Sequence, residues 1–542
     1  MDKKLYDLTS PQKNILSIEK YYNNTSINTN CGVTEINQVV NFKKLSEAVS
    51  LLIKNNSIFR LRFEETDTVM KQYFVDSFSY SPHIYEISNK KELAELKKSL
   101  GHKVLFTTKH LFEFAIYRLP NGHGGIIGSV HHLLSDSWGV GLMFDEILRI
   151  YSELLSNSYE NVESTSTYVD FINKEQDYFN STTFEKDKVF WNEMFQTIPA
   201  QAALPSTQSL AKSSLSCSAD RIIRTLDHNI VIEINEFCKK NRISVYHFLM
   251  AIFSIYIGSI SNTEDFVIGT PILNRLNFAD KHTMGMFVST VPFRINLNQN
   301  ISFCDFSQSI SQKILSILRH QRYPYENLLQ DLRKLNPSIP NLYNFILSYQ
   351  ITKLSNCGLD CTSSWEFNGT CADDFQIHIV DYDNNGSLDI LYDYKTDKYT
   401  STDIKNMHNR IFNMISQVLE NENLLIHDIE IVTDIEKQQI LSDFNNTSVD
   451  YSKGKTITEL FEEQVSKTPN KKAIIFEDKE ITYKELNEKA NSLAFYLRSQ
   501  GIRPRWFDWN NDKSIFGNAN FGTCRFKKRC LLCSCRSFFS AG

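Results

Sequence analysis

The chain has 542 residues, of which 42% are hydrophobic and 22% charged, and a formal net charge of −5. That length exceeds the ~250–300 residues at which one hydrophobic core stops growing, so several domains are expected. The acidic balance argues against a nucleic-acid or anionic-membrane partner, since either needs a basic face, and leaves small molecules or acidic carriers.

The opening MDKKLYDLTS lacks the apolar core of a signal peptide. The longest apolar stretch, about Phe248 to Ile260, falls short of the ~20 residues that span a bilayer, so the expected location is the cytoplasm. Cys31, Cys217, Cys238, Cys304, Cys357, Cys361 and Cys371 are scattered without metal-ligand spacing and read as buried reduced thiols.

Taken in chain order, Ser10-Pro11 followed by QKNILSIEKYY marks a helix start, with Ser10 as N-cap and Pro11 in the first turn. Phe112 to Leu119 and Gly124 to His132 read as strands around the turn signal Pro120-Asn121-Gly122. From Trp138 to Leu155 the apolar residues Met143, Ile147, Leu148, Tyr151 and Leu154 recur at helical spacing. His131-His132-Leu133-Leu134-Ser135-Asp136 therefore closes a strand and turns into an amphipathic helix. A second stretch of similar make-up, from about Asp220 to Ile431, holds an apolar helix near Val245 to Ile257 and the strand-turn DFVIGTP. It also holds a strand pair near Tyr343 to Tyr349 and Leu388 to Tyr394. Two lobes of related α/β architecture are the expectation.

A histidine pair by itself reads more readily as a satisfied core or surface pair than as a site. Here, however, the spacing H-H-x-x-x-D-x-W falls at a strand end, which holds a side chain rigidly. Histidine is also the side chain that exchanges protons near neutral pH. Asp136 lies where it can fold back and lock the turn.

These residues resemble the condensation domains of nonribosomal peptide synthetases, which share the chloramphenicol acetyltransferase fold. The likeness extends over most of the first 430 residues: LTSPQKNI at 8–15, IFRLRF at 58–63, HHLLSDSW at 131–138, YVDFINKEQDYF at 168–179, DFVIGTPILNR at 265–275, MGMFVSTVPFR at 284–294 and RHQRYPYENLL at 319–329. The resemblance implies an α/β chain with two chloramphenicol acetyltransferase-like lobes set as a V around a tunnel, residues 1–175 and 176–432. Carrier proteins supplied by other chains would bring phosphopantetheine-bound substrates, an acyl or peptidyl donor and an aminoacyl acceptor, to a monomer that holds no permanent cofactor and no metal.

By the same resemblance His132 is the catalytic residue, His131, Ser137 and Trp138 support the motif, and Asp136 forms a structural ion pair with Arg60, or alternatively Arg62. Ser289 and Arg275 would lie along the tunnel. The segments DFVIGTPILNR and RHQRYPYENLL read as a lobe-crossing segment and a packed helix. Ser137 stands where the family usually has glycine, and Ser289 where asparagine is common. A heterocyclising relative would carry D-x-x-x-x-D in place of the histidines, and an epimerising one usually follows a carrier domain, so amide formation is favoured.

After Ile431 the character changes. Residues 433–455 read as a linker, and 456–504, with TYKELNEKAN at 482–491, resemble the start of an adenylation domain, a fragment expected to be poorly ordered. No phosphate-binding loop follows. Residues 505–542 are expected to be an aberrant, disordered tail. Cys524, Cys530, Cys533 and Cys535 there could be read as a zinc site, but a shift of reading frame near Arg505 is preferred. Alternatives to the condensation enzyme are an inactive remnant of a truncated synthetase and a stand-alone acyltransferase using coenzyme A thioesters.

Overall fold

In the computed structural model the described residues are 3–500, apart from 68, 106–109, 162–165, 206–215, 340, 353–356, 383–385, 448–453 and 477–478. The expectations for 505–542, including its four cysteines, lie outside them. The chain divides into two compact units, Met1–Lys437 and Gln438–Gly542.

The first unit is built on two large sheets. A five-stranded sheet runs in the order Cys361–Glu366, Thr29–Ile36, Gly124–His131, Phe112–Arg118, His83–Glu86. A six-stranded sheet runs Ser289–Asn296, Asp265–Ile272, Phe345–Thr352, Phe375–Tyr382, Leu388–Lys395, Ala219–Leu226. The strand Cys361–Glu366 comes from the sequence half expected to form the second lobe, yet it pairs antiparallel with Thr29–Ile36 of the first. The expected pair near 343–349 and 388–394 is also corrected, because Phe375–Tyr382 lies between those two strands and bonds to both. That strand, FQIHIVDY, alternates polar with apolar residues and reads as a half-buried strand only once its apolar face has a core to meet.

The strand that ends at the motif, Gly124–His131, is buried at every position. Its glycines and small residues admit large rings, for a Cβ at Gly128 would meet Phe114 and Phe144. The helix Ser137–Leu155 then packs Val140, Met143, Phe144, Ile147 and Leu148 onto this sheet. In the second lobe the helix Val245–Ile260 is buried without a break from Phe248 to Gly258, which explains why its sequence is apolar all round. No single helix among the described residues is long and apolar enough to cross a membrane.

The first helix spans Ser10–Tyr21 with Thr9, rather than Ser10, as its N-cap. The Gln12 side chain accepts the Thr9 backbone N–H at 3.0 Å, which closes the first turn. Ser10 N–H donates instead to both oxygens of the buried Glu175 carboxyl, at 3.1 and 3.0 Å. Burial pushes the Glu175 carboxyl up to about 7, against the pull of Ser10, Lys13 and Arg322. A raised acid favours folding while protonated, so its contribution is full below its ordinary 4.5 and is lost as pH rises through 7. Chemical denaturation of Glu175→Gln is expected to show a stability that varies less between those two pH values than that of the parent chain.

In the second unit a helix Ile457–Lys467, a hairpin of Lys472–Phe476 with Lys479–Thr482, and a helix Tyr483–Ser499 follow in order. Each helix starts on a capping box, Thr456 with Glu459 and Thr482 with Glu485. The fragment expected to be poorly ordered thus carries regular elements with their own start signals. Phe495, Tyr496 and Ile475 remain exposed.

Candidate active site

The motif begins where Gly124–His131 leaves its sheet. His131 is 2% exposed, and its Nδ1 accepts the Leu133 backbone N–H at 3.0 Å. The proton on that ring therefore sits on Nε2, 3.4 Å from Glu19 Oε2. The Leu134 N–H donates to the His131 carbonyl at 2.9 Å, so His131 braces the turn with both its ring and its backbone.

His132 follows with its N–H donated to the Asn28 carbonyl at 2.7 Å. The residue as a whole is partly exposed, and its Nδ1 lies 3.3 Å from the Met286 sulfur. Burial lowers the His132 pKa; Asp136 pulls the other way and His131 adds to the lowering. The imidazole is therefore neutral near pH 7, the state in which a ring nitrogen can accept a proton.

Asp136 has a different environment. It is the N-cap of the helix Ser137–Leu155, and its Oδ1 accepts the Gly139 N–H at 2.8 Å. Oδ2 accepts the N–H groups of Phe287 and Val288 at 2.9 and 3.0 Å. Arg275 completes the set with a bidentate pair, 2.7 Å to Oδ2 and 3.0 Å to Oδ1. Burial acts to raise the Asp136 pKa, but the guanidinium and the backbone donors outweigh it and hold the carboxyl below its usual range.

The expected pairing of Asp136 with Arg60 is corrected: Arg60 instead donates to the Lys54 carbonyl at 3.2 Å. Arg62, the alternative partner, donates to the carbonyls of Phe59 and Leu61. Arg275, expected along the tunnel, is the partner itself, with its side chain at 0% exposure and its guanidinium 4.2 Å over the Phe287 ring. An arginine just past a strand end, facing a buried carboxylate, satisfies that charge with a planar fork, which Arg60 on its short 3-10 turn cannot reach.

The other motif residues lie at the rim. Ser137 opens the helix and is partly exposed, and Trp138 donates its Nε1–H to the Lys281 carbonyl at 2.9 Å. Ser289 is partly exposed at the start of its strand, three residues beyond Met286.

Sequence reasoning did not single out several residues that hold the turn. Gln12 is fully buried and donates to the Leu133 carbonyl at 3.0 Å, so the first helix is tied to the motif. Tyr168 donates to the Met286 carbonyl at 2.9 Å, and its ring covers Gly285, where a Cβ would fall onto it. Gly285 is a required absence of side chain, visible in the sequence only as the glycine of MGMF. Gly285→Ala is expected to cost about 1–3 kcal/mol in denaturation experiments through this overlap.

Among the described residues no group of His, Cys, Asp or Glu is placed to hold a metal ion; of the seven cysteines expected to be buried, Cys31, Cys217, Cys238 and Cys371 are, whereas Cys304, Cys357 and Cys361 are partly exposed.

A strand-end histidine beside a turn that crosses between two α/β lobes is the arrangement of the chloramphenicol acetyltransferase-like fold. The family model of the condensation domain matches residues 2–441, and that of AMP-binding enzymes matches 461–505. This chain belongs to the condensation-domain family, whose members in nonribosomal peptide synthetases catalyse amide-bond formation, an acyl transfer.

Surfactin synthase subunit 1 of Bacillus subtilis (strain 168) is 29% identical over 517 residues, 93% of this chain and 14% of that protein. Tyrocidine synthase 3 of Brevibacillus parabrevis is 27% identical over 433 residues, 78% of this chain and 6% of that protein. The chain therefore spans 14% or less of the length of these relatives.

Among solved structures, the starter condensation domain of rhizomide synthetase, as a variant in complex with C8-CoA, superposes with a TM-score of 0.71 at 20% identity over 79% of this chain and 98% of that one. A holo four-domain nonribosomal peptide synthetase bound to AMP and glycine gives 0.74 at 16% identity over 92% and 39%.

Proposed function

We propose that this chain joins a donor acyl or peptidyl thioester to an acceptor aminoacyl thioester, both held on phosphopantetheine arms of carrier proteins supplied by other chains. The observation that carries the reading is the division of labour between His132 and Asp136. Asp136 has its oxygens committed to Arg275 and three backbone N–H groups, so it positions the turn. His132 is neutral and partly exposed, and Met286 occupies the side of Nδ1, which leaves Nε2 for a reactant.

In the reaction the acceptor amine attacks the thioester carbonyl, forming the C–N bond. The C–S bond then breaks, and the proton lost by nitrogen passes through His132 to the departing thiolate. General-base action of this kind contributes ~10²–10⁴-fold, and holding two tethered reactants together adds several kcal/mol. The preserved geometry around His132 favours this enzyme over an inactive remnant. Ser289, close in sequence to Met286, is assigned to the substrate path.

The test is intact-mass analysis of loaded donor and acceptor carriers incubated with the protein. Condensed product on the acceptor carrier supports the reading. Absence of product across acyl and aminoacyl panels, with a folded protein, refutes it.

A further inference from the structure

Outside the histidine motif, four polar side chains form a continuous chain on one face of the six-stranded sheet. Ser348 Oγ lies 2.7 Å from His378 Nδ1, and His378 Nε2 lies 3.3 Å from Asp393 Oδ2. Asp393 is gripped by Arg221 through two bonds of 2.6 and 2.8 Å. Burial would raise the Asp393 carboxyl, but Arg221 and His378 hold it at about 2, so it is ionised at neutral pH. The carboxylate holds a proton on Nε2, and Nδ1 shares a hydrogen bond with the Ser348 hydroxyl. That bond fixes the Ser348 oxygen in place and, whichever way it runs, leaves it a lone pair for an N–H group.

The opposite face of these strands is apolar core, with Phe345, Leu347, Ile377, Ile379, Ile390 and Tyr392. Sinking a serine, a histidine and an ion pair into a sheet face costs free energy that apolar residues would not, which argues that the polar chain serves a ligand.

Register places it in relation to the motif. Ser348 pairs with His378, and the parallel pairing of Ile346 with Gly269 sets Ser348 level with Pro271, which faces Thr290. These residues share one face, so Ser348 lies about 10 Å across two strand spacings from Thr290. Thr290 is four residues beyond Met286, whose sulfur touches His132. The row continues through His378 to Leu391 and Ile223, and Ile223 is 51% exposed, so the face opens outward at that edge.

We propose that Ser348, oriented by His378, Asp393 and Arg221, is a positioning residue that accepts a hydrogen bond from an amide N–H of the pantetheine arm of a tethered substrate. This inference rests on the condensation reading of the His132 site. It adds a contact that recognises the amide-bearing arm rather than the reacting carbonyl.

The experiment compares Ser348→Ala, Ser348→Thr and the parent protein on two thioesters with the same acyl group, one on pantetheine and one on an amide-free alkyl thiol of equal length. Each is offered in turn as donor and as acceptor. The expected result is a KM raised about fivefold for the pantetheine thioester, the worth of one neutral hydrogen bond, with no change for the alkyl thioester and recovery in Ser348→Thr. Equal effects on both thioesters, or none on either, overturn the proposal, since a purely structural serine does not distinguish them. If the parent protein condenses nothing, the condensation reading fails. Calorimetric affinity for a pantetheine thioether, parent against Ser348→Ala, then decides the inference separately.

Discussion

Asp136→Ala lowers the stability of the first unit by about 3–5 kcal/mol, and Arg275→Ala does so by a similar amount. Each substitution strands a buried partner: without Asp136 the guanidinium of Arg275, at 0% side-chain exposure, faces no charge, and the N–H groups of Gly139, Phe287 and Val288 lose their acceptor. Arg60→Ala, at the position suggested by resemblance, changes stability by less than about 0.5 kcal/mol, as for a surface substitution. Urea denaturation of the three variants separates the two pairings. Because the folded-state pKa of Asp136 is depressed, its contribution is present above the unfolded carboxylate value and is lost as pH falls through the folded one. The Asp136→Ala deficit therefore shrinks in acid.

His132→Ala has the opposite profile. The backbone bond from His132 to Asn28 survives the substitution and no buried charge is stranded, so denaturation should show a smaller change than for Asp136→Ala. The rate of amide formation falls by ~10²–10⁴-fold if the imidazole acts as base. In the parent protein the working form is neutral, and burial lowers its pKa from 6.5. The contribution of His132 to the rate is then constant above neutrality and declines as pH drops through a value below 6.5, so the difference between parent and His132→Ala narrows in acid. A variant that loses activity while keeping its stability identifies a chemical role, whereas loss of both, as for Asp136, identifies a structural one.

Much of this was legible in the sequence because it rests on local signals. The strand–turn–helix around 124–155 follows from period and turn residues, and a histidine at a strand end is a local fact. The ion pair was not legible, since Asp136 and Arg275 are 139 positions apart and only the folded crossing of Gly285 to Val288 brings them together. Resemblance supplied an arginine of the right type at the wrong place. Gln12 and Tyr168 were visible as motif members, but their reach to Leu133 and Met286 is tertiary. The strand Phe375–Tyr382 was missed because its polar residues face a network rather than water. His378 reads as a surface position until Ser348 and Asp393 are seen on either side of it.

The central claim is tested most directly by single-turnover amide formation between a loaded donor and a loaded acceptor carrier, followed by intact mass for the parent protein and for His132→Ala at equal folded concentration. The account predicts product in the parent and a rate at least a hundredfold lower in the variant. Equal rates in the two proteins would contradict it.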